Sequence, residues 1–209
     1  MRAIICPRSA NIVFALVLLS SAFVIDSASA HDCGATIATS SGAGLSEVDY
    51  NFVAQANLGA PFQVESGRVA ERKATTAEVR DYARLMVESH IPVIEALNKV
   101  LQRKDIAAPA NPLLRGAYDA MIESLNADQG VAFNRDYVAG QVEYQKGNAA
   151  LFQNEIRDGN DPDLKAFARQ TLPKIEDHLR RALRLAKKEK LAMTSSEQGA
   201  CDLPSQQGG

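Results

Sequence analysis

Apolar residues recur three and four positions apart through nearly all of the chain from Ser46 onward. This spacing is typical of amphipathic helices that pack against one another. No stretch of useful length alternates apolar and polar residues as a half-buried strand would. The pattern therefore predicts an all-α fold built from long helices joined by short polar connections, which is a helical bundle.

The helix starts can be read from residues that cap helices. Ser46 with Asp49, and Thr75 with Glu78, have the spacing of capping boxes. Asp161 is a helix N-cap residue that precedes a proline suited to the first helical position. We predict four long helices, at residues 46–73, 75–104, 128–157 and 161–191. A short helix at residues 112–126 lies in the connection between the second and third long helices. The bundle domain comprises residues 46–193.

The first thirty residues have the layout of a secretory signal peptide. Arg2 and Arg8 precede an apolar run at residues 12–25, and "ASA" at residues 28–30 is a small-residue cleavage site. The run is shorter than the roughly 20 residues of a membrane span. We expect cleavage after Ala30 and a periplasmic or secreted protein, with no transmembrane span once the signal is removed. The alternative is an uncleaved anchor.

The segments that flank the predicted bundle are polar and small-residue-rich. Residues 31–45 have the composition of a flexible lead-in and residues 194–209 that of a disordered tail. They carry Cys33 and Cys201, the two cysteines of the mature chain. An exported protein meets an oxidising compartment, so a disulfide between them is one prediction. Two free or intermolecularly paired thiols are the other.

The charge balance argues against a nucleic-acid partner. The net charge is −2, and loss of two arginines and one aspartate with the leader takes it to −3. Nucleic-acid-binding domains are usually basic. The locally basic stretch "RRALRLAKKEK" at residues 180–190 fits a solvated face near a helix C-terminus, where cations suit the helix dipole.

Each long helix carries one large polar residue on its predicted inner face. These residues are Glu65, His90, Gln145 and His178. With a rise of about 1.5 Å per residue, all four fall within about two helical turns of one another. We therefore expect them to lie close together inside the bundle.

This group of four residues has two alternative interpretations. Glu65, His90 and His178 form a ligand set that suits one Fe, Zn or Cu ion, with Gln145 as a weak fourth ligand. Alternatively, the four residues form a buried hydrogen-bond network that fixes one packing arrangement. Neither histidine has a glutamate three residues before it, which argues against a di-iron carboxylate site. Gln145 favours the network, and no nucleophile–base arrangement indicates an enzyme.

Four stretches resemble the bacterial domain-of-unknown-function 4142 family. They are "FVAQANLGAPFQVESGRVAERKA", "VRDYARLMVESH", "FNRDYVAGQVEYQ" and "LKAFARQTLPKIEDHLRRA". The resemblance implies an exported protein, described as periplasmic or outer-membrane, with a ferritin-like four-helix bundle. It implies no established enzyme activity.

The family pattern matches Glu65, His90 and His178. It commonly has another histidine in the third long helix, where this chain has Gln145 within "QVEYQK". If the family histidines bind metal, this member has lost one ligand. We therefore expect an exported, envelope-associated, non-enzymatic binding or structural module, with metal binding or redox function as the alternative.

Overall fold

A computed structural model describes residues 44–201, with side chains described to residue 190. Its five helices are α1 (Glu47–Lys73), α2 (Ala77–Arg103), α3 (Pro112–Ala127), α4 (Gly130–Asp158) and α5 (Pro162–Cys201). The described residues contain no strand, so the all-α prediction is confirmed. The short extra helix, α3, lies in the connection between the second and third long helices, as predicted.

Two of the three predicted helix caps are confirmed. At α1, the Asp49 amide donates to Ser46 Oγ and the Ser46 amide donates to Asp49 Oδ2, both at 3.2 Å, which completes the capping box. At α5, Asp161 Oδ1 accepts from the amides of Asp163 and Leu164. Each cap satisfies amides that a helix leaves without intrahelical partners.

The predicted capping box at Thr75 is wrong. Helix α2 begins at Ala77 with Thr76 as its N-cap residue, and no side chain caps it. Thr75 instead exchanges two hydrogen bonds with the Asn134 amide of α4, at 3.0 Å from its backbone nitrogen and 2.9 Å to its hydroxyl. A tertiary contact has therefore replaced the local cap.

Helix α5 continues past its predicted end near residue 191 and reaches Cys201. Residues 191–198 contain neither proline nor glycine, so nothing in them stops a helix already started in the packed bundle. The predicted tail therefore begins as helix. The signal peptide, most of the lead-in, residues 202–209 and the pairing of Cys33 lie outside the described residues.

The four long helices pack as two antiparallel hairpins. Helix α1 packs mainly on α2, and α4 mainly on α5, while α1 also contacts α4 and α2 contacts α5. Contacts between the starts of α2 and α4, such as Thr75 with Asn134, make those two helices parallel. One long crossover carrying α3 allows this order, a connection also found in ferritin-like bundles. The ferritin-like assignment itself stays a prediction.

Helix α3 lies across the outside of the bundle. Leu125 is its only buried residue. The ring of Tyr118 stacks on Phe62 of α1, with centroids 4.4 Å apart. Lys73 holds the other end of α3 through a 3.0 Å hydrogen bond to the Leu125 carbonyl. Helix α3 is thus attached at two points and contributes little to the core.

The apolar core consists of two clusters, one towards each end of the bundle. The first includes Phe52, Leu97 and Phe152, and the second includes Met86, Phe133 and Leu185. Between them lie buried polar side chains from all four long helices: Gln63, Ser66, His90, Gln145 and His178. We call these five residues the mid-bundle layer. No described helix is long and apolar enough to cross a membrane.

Candidate functional site

The mid-bundle layer is the candidate site because it separates the two apolar clusters of the core. His90, Gln145 and His178 are at most 3% exposed. The structure therefore brings together three of the four residues that the sequence singled out, each from a different helix. Their predicted inner-face positions are confirmed, and their role as metal ligands stays a prediction.

The predicted inner-face position of Glu65 is wrong. Glu65 is exposed, and it lies in a cleft between α1 and α3 beside Arg115 and Asp119. Gln63, two residues earlier, occupies the interior instead and is completely buried. The three-ligand set of Glu65, His90 and His178 therefore does not exist in the structure.

The register of α1 was missed because its inner face is lined by small residues. Glu65 follows Leu58 and Phe62 at helical spacing, whereas the buried positions around Gln63 include Ala56, Ala60 and Gly67. Gly67 allows close packing, since a Cβ there would lie 2.9 Å from the Ala83 carbonyl of α2. The small-residue spacing on either side of Gln63 was the signal available in the sequence.

The two histidines face each other across the interface of α2 and α5. Their ring centroids are 5.1 Å apart and their planes are tilted by 38°. His90 Nδ1 lies 2.8 Å from the Met86 carbonyl oxygen, to which it donates a hydrogen bond. This bond fixes the tautomer, so that His90 Nε2 carries the free lone pair. His178 Nδ1 is buried and has no partner among the described residues.

Both imidazoles are neutral at physiological pH. Burial lowers the pKa of His90 to about 4, opposed by the hydrogen bond to the Met86 carbonyl. Burial and the proximity of His90 lower the pKa of His178 to about 3. The charged form of either ring would lose its hydration, and at His178 the negative charge of Asp177 offsets this loss only in part. A neutral imidazole is also the form that binds metals.

Long hydrogen bonds connect the amide side of the layer to its neighbours. Gln145 Nε2 lies 3.5 Å from both Met86 Sδ and Gln141 Oε1. The Tyr82 hydroxyl lies 3.5 Å from Gln141 Oε1 and 3.3 Å from the His178 carbonyl oxygen. At these lengths each bond is weak. The hydrogen bonds of Gln145 and Tyr82 are thus longer and weaker than the bond that orients His90.

Several polar atoms of the layer have no protein partner. Buried polar groups in native proteins are nearly always hydrogen-bonded, so each exception needs an explanation such as a bound water or ion. Within the described residues the unpartnered atoms of the layer are Gln63 Nε2 and Oε1, Gln145 Oε1 and His178 Nδ1.

A small cavity adjoins the histidine pair on the side of the first core cluster. Its volume is about 10 Å³, and His90, His178, Asn148, Thr171 and Lys174 are the polar residues that line it. That is about the space one water molecule needs. The cavity therefore has the size of a single atom or a water-sized molecule beside the imidazoles.

A second buried polar site was not foreseen from the sequence. Asp49 of α1 and Glu155 of α4 are 1% and 0% exposed, at the end of the bundle where α4 turns into α5. Asp49 accepts hydrogen bonds from Ser46 and from the amides of Asn160 and Asp161. Glu155 finds no N–H or O–H donor among the described residues. We call Asp49 and Glu155 the acid pair.

The pKa values of the two carboxyls in the acid pair are shifted in opposite directions. Burial raises the pKa of Glu155 to about 8, helped by its contact with Asp49 and by that residue's negative charge. Burial would also raise the pKa of Asp49, but hydrogen bonds from Ser46 and from the neighbouring amides outweigh it and lower the pKa. Glu155 is therefore the protonated member and donates to the Asp49 carboxylate. The chain spacing of 106 positions gave no hint of this contact.

Within the described part of the chain, the histidine pair is not part of a larger cluster of metal-ligating side chains. Among the described residues, no group of three or more His, Cys, Asp or Glu side chains is arranged to hold a metal ion. A site on this pair would need its further donors from neutral side chains such as Gln145 or Met86.

Comparison with known proteins agrees with the resemblance seen in the sequence. The model of DUF4142, a domain of unknown function, matches residues 34–185. The chain belongs to the DUF4142 family. This match includes all four long helices of the bundle up to Leu185, and so both histidines and the acid pair. No curated protein and no solved structure matches this DUF4142 chain.

Proposed function

We propose that this DUF4142 protein is an exported helical-bundle module, periplasmic or secreted and associated with the envelope, that acts by binding or as a structural element rather than as an enzyme. The observation that supports this is the size of the interior site. A cavity of about 10 Å³ beside two neutral histidines has the size of a single atom or a water molecule rather than of an organic substrate. Export rests on the signal-peptide pattern of residues 1–30.

Export is tested by producing the full chain in a bacterial host and separating the periplasm and medium from the cytoplasm. Intact mass should show a mature chain that begins at His31. A variant that lacks residues 2–30 is the control. It should stay in the cytoplasm and should not be cleaved further. Retention of the unprocessed full chain in the cytoplasm, or in the membrane as an uncleaved anchor, would contradict the proposal.

In this module the mid-bundle layer acts first as a polar network that specifies one packing of four helices. Buried polar side chains can specify packing at a cost in stability. Its removal should therefore leave a folded but less uniquely packed bundle. The triple variant His90→Leu, Gln145→Leu and His178→Leu should keep its helix content yet lose dispersion in its NMR spectrum. Unchanged dispersion would contradict a specifying role.

A second candidate function is the binding of one transition-metal ion, Fe, Zn or Cu. It is favoured by the 5.1 Å separation of the two rings and by the main-chain hydrogen bond that leaves His90 Nε2 free. A metal that binds only the native state stabilises it by about 2.7 kcal/mol at 100 times its Kd. Thermal unfolding with Fe(II), Zn(II) and Cu ions should show this shift, and a chelator should reverse it. Unchanged melting with every ion would contradict this candidate.

A further inference from the structure

We propose that the histidine pair binds one Cu(I) ion through His90 and His178, with the thioether of Met86 as the third donor. This inference rests on the metal-binding candidate above and narrows it to a soft monovalent ion. It depends on the separation of the rings, the orientation of His90, the charge of the layer and the place of Met86.

The ring separation suits one shared ion with a bent coordination angle. Two imidazoles bound to one ion by bonds of about 2.0–2.1 Å, at a tetrahedral angle, have ring centres roughly 5 Å apart. A linear arrangement would need roughly 6 Å or more. The observed centroid separation is 5.1 Å. A bent pair leaves coordination positions for a third donor.

The orientation of His90 is the one that metal-binding histidines adopt. Such a histidine usually donates its other ring N–H to a carbonyl or carboxylate, which fixes the ring and its tautomer. His90 Nδ1 does this with the Met86 carbonyl at 2.8 Å. His178 supplies the independent observation, because its Nδ1 is buried without a partner in a residue only 2% exposed. Each ring thus offers at least one nitrogen not held by protein.

The charge of the layer favours a monovalent ion. None of the five mid-bundle side chains is acidic, and the exposed Lys174 at the cavity adds a positive charge. The nearest acidic residue in sequence, Asp177, is occupied by Arg180 and Arg181. A buried charge without compensation is costly, and two such charges cost more than one. Zn(II) and Fe(II) would each bring two positive charges into this layer.

Met86 is the soft donor that precedes His90 by one helical turn, on the side of the second core cluster. It is completely buried and lies on the same face of α2 as His90. Its sulfur, 3.5 Å from Gln145 Nε2, is held only by that weak contact. Methionine side chains adapt readily, and thioether sulfur selects Cu(I) over harder ions. A His–His–Met set therefore discriminates for Cu(I) by both charge and softness.

The test is an anaerobic Cu(I) titration of the mature chain, without a His-tag, against bicinchoninate, with a parallel Zn(II) titration. Cys33→Ser and Cys201→Ser are included in every variant, because thiols bind Cu(I) themselves. We expect one Cu(I) per chain. H90Q and H178Q should each weaken binding by about 100-fold or more, and M86L by about tenfold. M121L, in α3 and away from the layer, is the matched control and should bind as the parent does.

The outcomes distinguish the Cu(I) proposal from the broader metal-binding candidate on which it rests. Zn(II) binding that depends on both histidines, without Cu(I) binding, overturns the inference and leaves the metal-binding candidate standing. Binding of neither ion overturns both. Cu(I) binding that survives H90Q combined with H178Q also overturns the inference. Helix content and cooperative melting of each variant show that a lost site is not a lost fold, and X-ray absorption of the parent should show nitrogen and sulfur donors.

Discussion

The mid-bundle layer and the acid pair are both buried and polar, yet their hydrogen bonding differs. In the acid pair, the Asp49 carboxylate accepts from side-chain and backbone donors that start α1 and hold the α4–α5 turn. In the layer, both polar atoms of Gln63 and one nitrogen of His178 have no partner among the described residues. The first site completes local structure, whereas the second does not.

This difference separates a structural site from one available for binding. A carboxylate that satisfies backbone amides is needed by the fold, because its removal leaves those amides buried without partners. The side chains of the layer satisfy no backbone amide, so their polarity adds little to stability even where it specifies the packing. Polar groups that add little stability are available to bind an ion or a small molecule. Variants of the two sites test this difference, beginning with the largest expected effect.

Asp49→Ala should lower the free energy of unfolding by about 3–5 kcal/mol, because it leaves several donors and the Glu155 carboxyl without a partner. Asp158→Ala is the matched control. Asp158 is exposed and forms a surface ion pair with Arg157, so its loss should change the free energy of unfolding far less. Urea unfolding at pH 7 measures both. Equal losses in the free energy of unfolding for the two variants would contradict a structural role for the acid pair.

The stability of the protein should fall as the pH rises through the pKa of Glu155. That pKa is about 8 in the folded chain against an ordinary value of 4.5. A raised pKa stabilises the fold fully below the unfolded value and loses that contribution as the pH passes the folded value. Asp49 and Asp161 disfavour the ionised form of Glu155, and Lys165 favours it.

We therefore expect the wild type to lose about 2–4 kcal/mol between pH 5 and pH 9 relative to Glu155→Gln. The variant keeps a hydrogen-bond donor towards Asp49 but does not titrate. Urea unfolding at several pH values gives the two curves. Parallel curves would mean that Glu155 carries its charge at neutral pH and that no proton is shared.

Gly67→Ala should destabilise the bundle by about 1–3 kcal/mol through overpacking beside the layer. An added Cβ would lie 2.9 Å from both the Ala83 carbonyl and a Val87 methyl carbon. Gly116→Ala in α3 is the control, since nothing lies within 4 Å of its added Cβ. That change should stabilise by up to about 1 kcal/mol, as alanine favours helices. A neutral Gly67→Ala would place α1 farther from α2 than the structure has it.

Gln63→Leu should raise the free energy of unfolding by about 1 kcal/mol, the smallest effect of the series. Both polar atoms of Gln63 are buried without a partner, so an apolar side chain of similar size removes an unfavourable burial. Gln55→Leu, at an exposed position of the same helix, should change stability by less than about 0.5 kcal/mol. Destabilisation by Gln63→Leu would show that Gln63 has a partner and that the layer serves the fold.

The helical spacing of apolar residues and the capping residues predicted most of the fold. The 3.5-residue spacing of apolar residues gave the four long helices, and Pro112 marked the start of α3. His90, Gln145 and His178 were found because each interrupts a seam of mostly apolar residues. In α1 the same rule selected Glu65 instead of Gln63, since small residues line the inner face there and large ones do not mark it.

The remaining features depend on contacts between residues far apart in the chain. Thr75 does not cap α2 because it hydrogen-bonds with Asn134, which lies 59 positions further along the chain. The acid pair joins residues from α1 and α4, and neither carboxylate differs in its local sequence from an exposed one. Pairwise partners of this kind follow from the packing of the helices, which seam spacing alone does not specify.

The central claim is that His90 and His178 form one neutral, facing pair in the mid-bundle layer. The most direct measurement is NMR of the mature chain with ¹⁵N-labelled histidine at pH 7, assigned with His90→Gln and His178→Gln. We predict that His90 is the Nδ1–H tautomer with a slowly exchanging ring proton, because that proton is buried in a bond to the Met86 carbonyl. We also predict nuclear Overhauser effects between the two rings, whose centroids are 5.1 Å apart. A rapidly exchanging His90 imidazolium, or rings without mutual Overhauser effects, would contradict the account.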